Sequence, residues 1–377
     1  MNEDYLIEDK RDMSSFKTKT FSGFKKTDVI NTVIKSIESR KIEQACHWTT
    51  ECIISGYSLV LWEKLMIYSS KVINVNNPTL PSYFLNKTKI LQNQIDRLDM
   101  KSKETVLLLR NSQMIRNMFF DIITTLITSP KSKKYDKYPK INELEDFKYE
   151  NIQKRLFAQM NILPNHIIKF NDPDELKIII NEIFALCKNK QFGYEKCCYW
   201  IMWLIKWETL HKKKKTPWNI HERDVKEVDK KYRENIIWVI WDTVFEEMRL
   251  RKNKNITKQI KSLFSLYTLN YTIGKRNTRL PILFNAVAYL TNVVKFSIPI
   301  RPDHILLIQV QGNVNKMFMA KKVHEEKTVT MDISKVPKNK NKNKKKSLEK
   351  VNVEIIQDKI NIFNEVDSLI ISKSGSI

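Results

Sequence analysis

Residues 41–53 read KIEQACHWTTECI, and the reading of that stretch decides the fold. It places a histidine, two cysteines, a tryptophan and acidic residues within a few helical turns. As a metal site it fails on geometry. Cys46 and His47 are neighbours, and successive residues on a helix point in different directions. No C-x-x-C or H-x-x-x-H spacing elsewhere completes a ligand set, so no metal is expected. As one side of a packed helix the stretch makes sense, with Cys46 as a small apolar group, Trp48 as an anchor and His47 as an amphipathic neighbour.

The flanks extend the helical pattern. In KTDVINTVIKSIESRK, Val29, Ile30, Val33, Ile34 and Ile37 recur at helical spacing, with Thr27 or Asp28 as the N-cap. Beyond Gly56, Leu61, Leu65, Tyr68 and Val72 form a second stripe. NVNNPTLPSYF is a turn, because the residue before each proline is biased away from helix. A fourth helix starts after Pro81, and another spans roughly 103–127.

The pattern then recurs. EQACHWTTECI from Glu43 aligns with EKCCYWIMWLI from Glu195, matching Cys46 with Cys198 and Trp48 with Trp200. The histidine becomes Tyr199, which a metal ligand would not do. NPTLPSYF aligns with NTRLPILF, matching Pro81 with Pro281. The expected organisation is all-α, from two related multi-helix halves. Residues 1–26 form a flexible polar lead, 27–128 the first helical unit and 129–173 a connector. Residues 174–297 form the second unit, with an insertion of about 48 residues near 211–251 that reads as a charged loop and an extra helix. Residues 298–337 are an extension with a small β-hairpin near 305–333, from HILLIQVQG and KTVTMDI. A basic disordered linker, 338–350, and a C-terminal helix, 351–372, complete the scheme.

Composition narrows the function. The 377 residues carry a formal net charge of +24, a field that favours polyanions such as nucleic acid. With only six glycines there is no phosphate-cradling loop, and neither G-x-x-x-x-G-K-[ST] nor G-x-G-x-x-G occurs. Five cysteines, an acidic N-terminus and no apolar run of membrane length point to an intracellular protein. The acidic pairs Glu143/Glu145, Asp172/Asp174, Glu246/Glu247 and Glu325/Glu326 lie in charged segments and read as solvated. No nucleophile–base pattern is found, so the expectation is a protein without enzymatic activity or cofactor.

The candidate contacts with nucleic acid are the basic clusters. They comprise Lys131, Lys133 and Lys134; Lys212, Lys213, Lys214 and Lys215; Arg249 and Arg251; Lys275, Arg276 and Arg279; and the lysine run at 338–346. Trp218, Tyr135 and Tyr138 lie beside two of these clusters and offer rings for base stacking. The matched residues Cys46, Trp48, Pro81, Cys198, Trp200 and Pro281 are expected in the packed core of the repeat.

Residues 29–80 resemble a known module. Lys35-Ser36-Ile37, Ala45, Trp48, Gly56 and Asn77-Pro78 are similar in order and character to the clamp-loader-collar-like helical domain of MgsA-type replication-associated AAA+ ATPases. The ATPase domain of that family has no counterpart here, so no ATPase activity carries over. The resemblance implies a packing or oligomerising module of DNA-replication machinery. The Lys/Asn/Ile-rich style also resembles proteins of large DNA viruses. Together these imply a replication or genome-handling accessory that contacts DNA, located in the nucleus or a cytoplasmic viral factory. A virion assembly scaffold is the alternative, and an enzyme with an unrecognised site a second one.

Overall fold

The computed structural model describes residues 3–98, 105–132, 134, 137–215 and 218–326. Among them there are helices and no strands, as the glycine-poor, helix-periodic sequence predicts. The lysine run at 338–346 and the helix expected at 351–372 lie outside the described residues.

Two helices that are apolar almost all round organise the body, and each is buried on every side as such a helix must be. The first is α6 (Gln113–Thr128), buried from Met118 through Ile127 and started by the Ser112 hydroxyl, which accepts from the amide of Ile115. Around it pack α1 (Lys26–Glu38), α2 (Ile42–Ile54), α4 (Leu80–Arg97) and α14 (Ile305–Lys321). Between them run α3 (Ser58–Tyr68), which continues into a π-helical turn, and the short α5 (Thr105–Leu108). The second centre is α13 (Leu280–Thr291), in which every residue is buried. It contacts α8 (Leu176–Cys187), α9 (Gly193–Lys214), α10 (Ile236–Arg251), α11 (Lys254–Thr268) and α12 (Ile273–Thr278). Between the two groups, α7 (Tyr149–Arg155) is a surface helix with no buried residue.

The two groups are not separate bodies. Helix α11 packs on both α4 and α13, and one hydrophobic core runs from Ile7 to Phe318. The expected duplication is not shown: α13 is the fully buried centre of its group, whereas its sequence match α4 packs beside the centre of the other. Pro81 and Pro281 each sit in the first turn of a helix, α4 and α13, where a missing N–H costs nothing. Cys46, Cys198 and Trp200 are buried, while Trp48 is half-buried. The extra helix expected near 211–251 is α10, and it is no surface addition. Trp238 and Trp241 within it are among the largest fully buried side chains, and Asn235 caps its first turn by accepting from the Ile237 amide.

Three expectations are corrected. Residues 4–25 are not a flexible lead. Ile7, Phe16 and Phe21 are buried, and the Tyr57 hydroxyl donates to the carbonyls of Phe16 (2.5 Å) and Lys19 (2.7 Å). Their wide spacing carries no periodic signal, yet each ring finds the core. Residues 305–321 are not a strand of a hairpin but α14. Over the longer window Val310, Val314, Phe318 and Lys321 recur every three or four residues, and this stripe is the buried one. The other expected strand, KTVTMDI, lies outside the described residues. Finally, α1 starts at Lys26 without a side-chain cap, so neither Thr27 nor Asp28 serves as N-cap.

The opening stretch is a packed helix that also carries a buried charge cluster. Glu51 is fully buried in α2 and pairs with Lys321 at the end of α14 (2.7 Å). Its carboxylate also accepts from the amide (2.7 Å) and hydroxyl (2.8 Å) of Ser22. Burial raises this carboxyl, but Lys321 and the Thr20 and Ser22 hydrogen bonds outweigh it and hold it below its ordinary value. The Lys321 ammonium lies 3.3 Å from Nε2 of His47. Burial first, and Lys321 second, push His47 down to about 4, which keeps it neutral. Burial first, and Glu43 second, push the neighbouring Cys46 thiol up to about 12, so it is an inert packing group.

Candidate nucleic-acid interface

The interface is built on α9. Its start needs glycine, because a Cβ at Gly193 would lie 2.3 Å from the carbonyl oxygen of Leu186 at the end of α8. That close approach sets the α8–α9 hairpin. Along α9, residues three and four apart share a face, and the sequence fills one such row with rings: Trp200, Trp203, Trp207 and His211. Trp200 and Trp203 are 5.8 Å apart, Trp203 and Trp207 5.1 Å, and Trp207 and His211 5.2 Å, mostly edge to face. Such contacts favour one ring's edge over another's face. Trp218, beyond the end of α9, closes the row at 5.1 Å from Trp207 and 4.9 Å from His211. The ladder becomes less buried as it runs toward the helix end, where Lys212, Lys213, Lys214 and Lys215 follow. All four are exposed, and Lys215 ends the helix in the left-handed conformation (φ 53°). Cations at a helix C-terminus also complement the backbone dipole, a structural role that needs no ligand.

Beside the ladder lies a groove of about 570 Å³ between α7, the start of α8, and α9. Phe147, Trp203, Trp207 and Leu210 contribute to its apolar lining, while Gln153, Glu175, His211 and Lys214 bring polar groups to it. The indole N–H of Trp203 is satisfied by the carbonyl of Asp146 (2.8 Å), which fixes the loop carrying Phe147.

The other basic residues expected at an interface are mostly engaged within the fold. Arg276 pairs with the buried Glu208, which Lys212 also reaches at 3.2 Å. Arg279 is buried and donates to Glu63 (3.1 Å) and to the carbonyls of Tyr267 (2.8 Å) and Leu269 (2.6 Å). Lys275 donates to the carbonyl of Asn270 (3.0 Å), and burial, then Arg279, lower its pKa. Arg249 forks onto Glu246, and Arg251 donates to Glu247 (2.8 Å) and to the Cys187 carbonyl (2.7 Å). Lys131 donates to the last carbonyls of α6, those of Leu126 (3.1 Å) and Ile127 (2.9 Å). Burial, then Arg40, pull it down to about 8. Lys134 is exposed and reaches Asn292 at 3.4 Å. Lys133 and Tyr135 lie outside the described residues, and Tyr138 packs against Phe284 rather than offering a free ring (4.9 Å).

The acidic pairs therefore need correction as well. Asp172, Glu246 and Glu247 are buried, not solvated, because each neutralises an arginine: Asp172 takes Arg223 (2.5 Å), itself fully buried. The spacing of Glu246 with Arg249 and Glu247 with Arg251 was visible in the sequence; the pairing of Glu208 with Arg276 was not. The aromatic ladder was equally legible from its spacing, but the sequence reading takes Trp200 as a packing residue and Trp218 as a stacking ring and passes over Trp203, Trp207 and His211. Among the described residues no cluster of His, Cys, Asp or Glu has the makings of a metal site, and no helix is long and apolar enough to cross a membrane. Comparison with protein-family models, with curated proteins and with solved structures returns no match.

Proposed function

We propose that this protein is a non-enzymatic nucleic-acid-binding scaffold, acting as an accessory in DNA replication or genome handling. The observation that carries the reading is the exposed run Lys212–Lys215 placed at the end of an aromatic row. Lysines supply phosphate attraction without sequence preference, and rings supply base stacking. The net charge of +24 adds a long-range field of the same sign. The resemblance of residues 29–80 to a clamp-loader-collar module points to replication machinery as the setting, with the α1–α2 pair as a packing surface for a partner or a second copy. Arg276 and Arg279 are left out of the proposed contact, since their charges are matched internally.

The test is a titration of the full chain with single- and double-stranded oligonucleotides at two salt concentrations. Replacing Lys213, Lys214 and Lys215 together by Gln is expected to weaken binding and to reduce the salt slope by about 2 on single strands and nearly 3 on duplex, at about 0.7 and 0.9 per phosphate contact. Absence of salt-dependent binding in the parent chain would discard the reading. A second reading, a protein-interaction scaffold for assembly, is favoured by one observation: Leu144, Met160 and Phe170 stand exposed in the segment joining the two helix groups. It would take over if no nucleic acid binds.

A further inference from the structure

We infer that the groove between α7, α8 and α9 seats an unpaired base of a single-stranded nucleic acid, with the adjoining phosphates on Lys213–Lys215. This rests on the reading of the α9 terminus as a nucleic-acid contact, and goes beyond it by naming the strand form and the pocket. At about 570 Å³ the groove lies within the range of small-molecule sites, about 300–1,000 Å³. Its walls are rings and aliphatic groups, with a few polar groups, Gln153, Glu175 and Lys214, among them. A nucleobase has the matching character, two apolar faces and an edge of donors and acceptors. Gln153 offers both a donor and an acceptor, and the Glu175 carboxylate accepts from a ring N–H, such as N3–H of thymine, or from an exocyclic amine.

Two features favour this occupant over another apolar ligand. The first is charge. Lys214 lines the groove itself, and Lys213 and Lys215 are its exposed neighbours at the end of α9, so a ligand with an anion next to an aromatic group is matched in both parts. The second is the rim. Tyr149 is 76% exposed and Ile178 57% exposed although both line the groove, which leaves apolar surface for a flat ring to cover. A base within a duplex has its faces stacked and its edge paired, and has to leave the stack to enter such a groove. A single strand has no such cost, so the groove discriminates between the two forms while the lysines do not.

The experiment compares the parent chain, Tyr149→Ala and the control Leu144→Ala on labelled oligo(dT) and on a duplex of equal length. Both altered side chains are exposed, so the fold is retained. Loss of one stacked base weakens single-strand binding by about five- to a hundredfold. The expected result is that loss for Tyr149→Ala on oligo(dT) alone, with duplex affinity and salt slope unchanged and Leu144→Ala at the parent value. Unchanged oligo(dT) affinity, or equal losses on both forms, overturns the inference while leaving the lysine contact standing. A parent chain that binds neither form removes the underlying function and the inference together. In parallel, p-benzoylphenylalanine replaces Tyr149 and the sample is irradiated with oligo(dT). A crosslink to the oligonucleotide supports the assignment, and a crosslinked dimer of the chain in its place refutes it.

Discussion

Replacing Lys321 by Met tests whether the cluster in α2 holds α14 to the body by charge. Met keeps most of the apolar stem and removes the ammonium. Glu51 is then a buried carboxylate without its cation, although the two Ser22 hydrogen bonds remain. Removing one partner of a buried pair costs about 3–5 kcal/mol, and the surviving hydrogen bonds place this case near about 3 kcal/mol. The pH dependence carries the sharper signature. In the parent chain the Glu51 carboxyl is depressed, so its stabilisation is present above the unfolded value of about 4.3 and is lost as pH falls through the folded value. Without Lys321, burial governs and raises the carboxyl, so the variant regains stability as pH falls toward that unfolded value. His47 moves the gap the same way. Its lowered pKa destabilises the parent as pH falls below about 6.5 toward 4, and removing Lys321 relieves part of that. Urea unfolding at pH 7.5 and 5.0, followed by circular dichroism, reads both effects. The difference between variant and parent should shrink at pH 5.0, and adding Glu51→Gln should recover at least half of the loss at pH 7.5. A cost below about 1 kcal/mol, or a gap identical at the two pH values, would refute the reasoning.

Other consequences can be checked in the same way. Arg279→Ala leaves Glu63 and two carbonyls without their donor, and should cost about 2–4 kcal/mol in urea unfolding while leaving oligonucleotide affinity of the folded protein unchanged. Trp238→Ala opens a cavity in the core beside Tyr267 and Tyr271 and should cost about 3–5 kcal/mol by the same measurement. Tyr57→Phe removes the hydroxyl that donates to Phe16 and Lys19; a loss of about 1–2 kcal/mol should appear as faster proteolytic cleavage within residues 4–25.

What the sequence revealed follows from the range of the forces involved. Helices announce themselves within a dozen residues, so the stripes of α1, the Leu-Pro start of α4 and α13, and the row of rings on α9 can all be read locally. Ion pairs between distant segments have no such signature. Arg279 and Glu63 are 216 residues apart, and nothing in KRNTRLP says that its last arginine faces inward. The N-terminal segment failed for another reason: three widely spaced apolar residues make no period, yet each suffices to anchor a loop. The misreading of residues 305–312 as strand shows the limit of a short apolar window, since only the continuation to Lys321 separates a period of two from one near 3.6. At the candidate interface, the lysine run could be located in the sequence, but the groove beside it could not, because its second wall comes from α7, about 60 residues earlier in the chain.

The first and last described segments are stitched to each other. The amide of Lys10 donates to the carbonyl of Glu326 (3.1 Å), the amide of Glu326 to Asp9 (3.0 Å), and Arg11 to the carbonyl of His324 (2.8 Å). Arg116, rooted in α6, holds the carbonyl of Tyr5 (2.9 Å). Mechanically this is a clasp. A pulling force applied between residues 5 and 326 would load these few bonds before it reached either central helix. The body should therefore yield first at its clasp, in a small early extension, with the helices around α6 and α13 still packed.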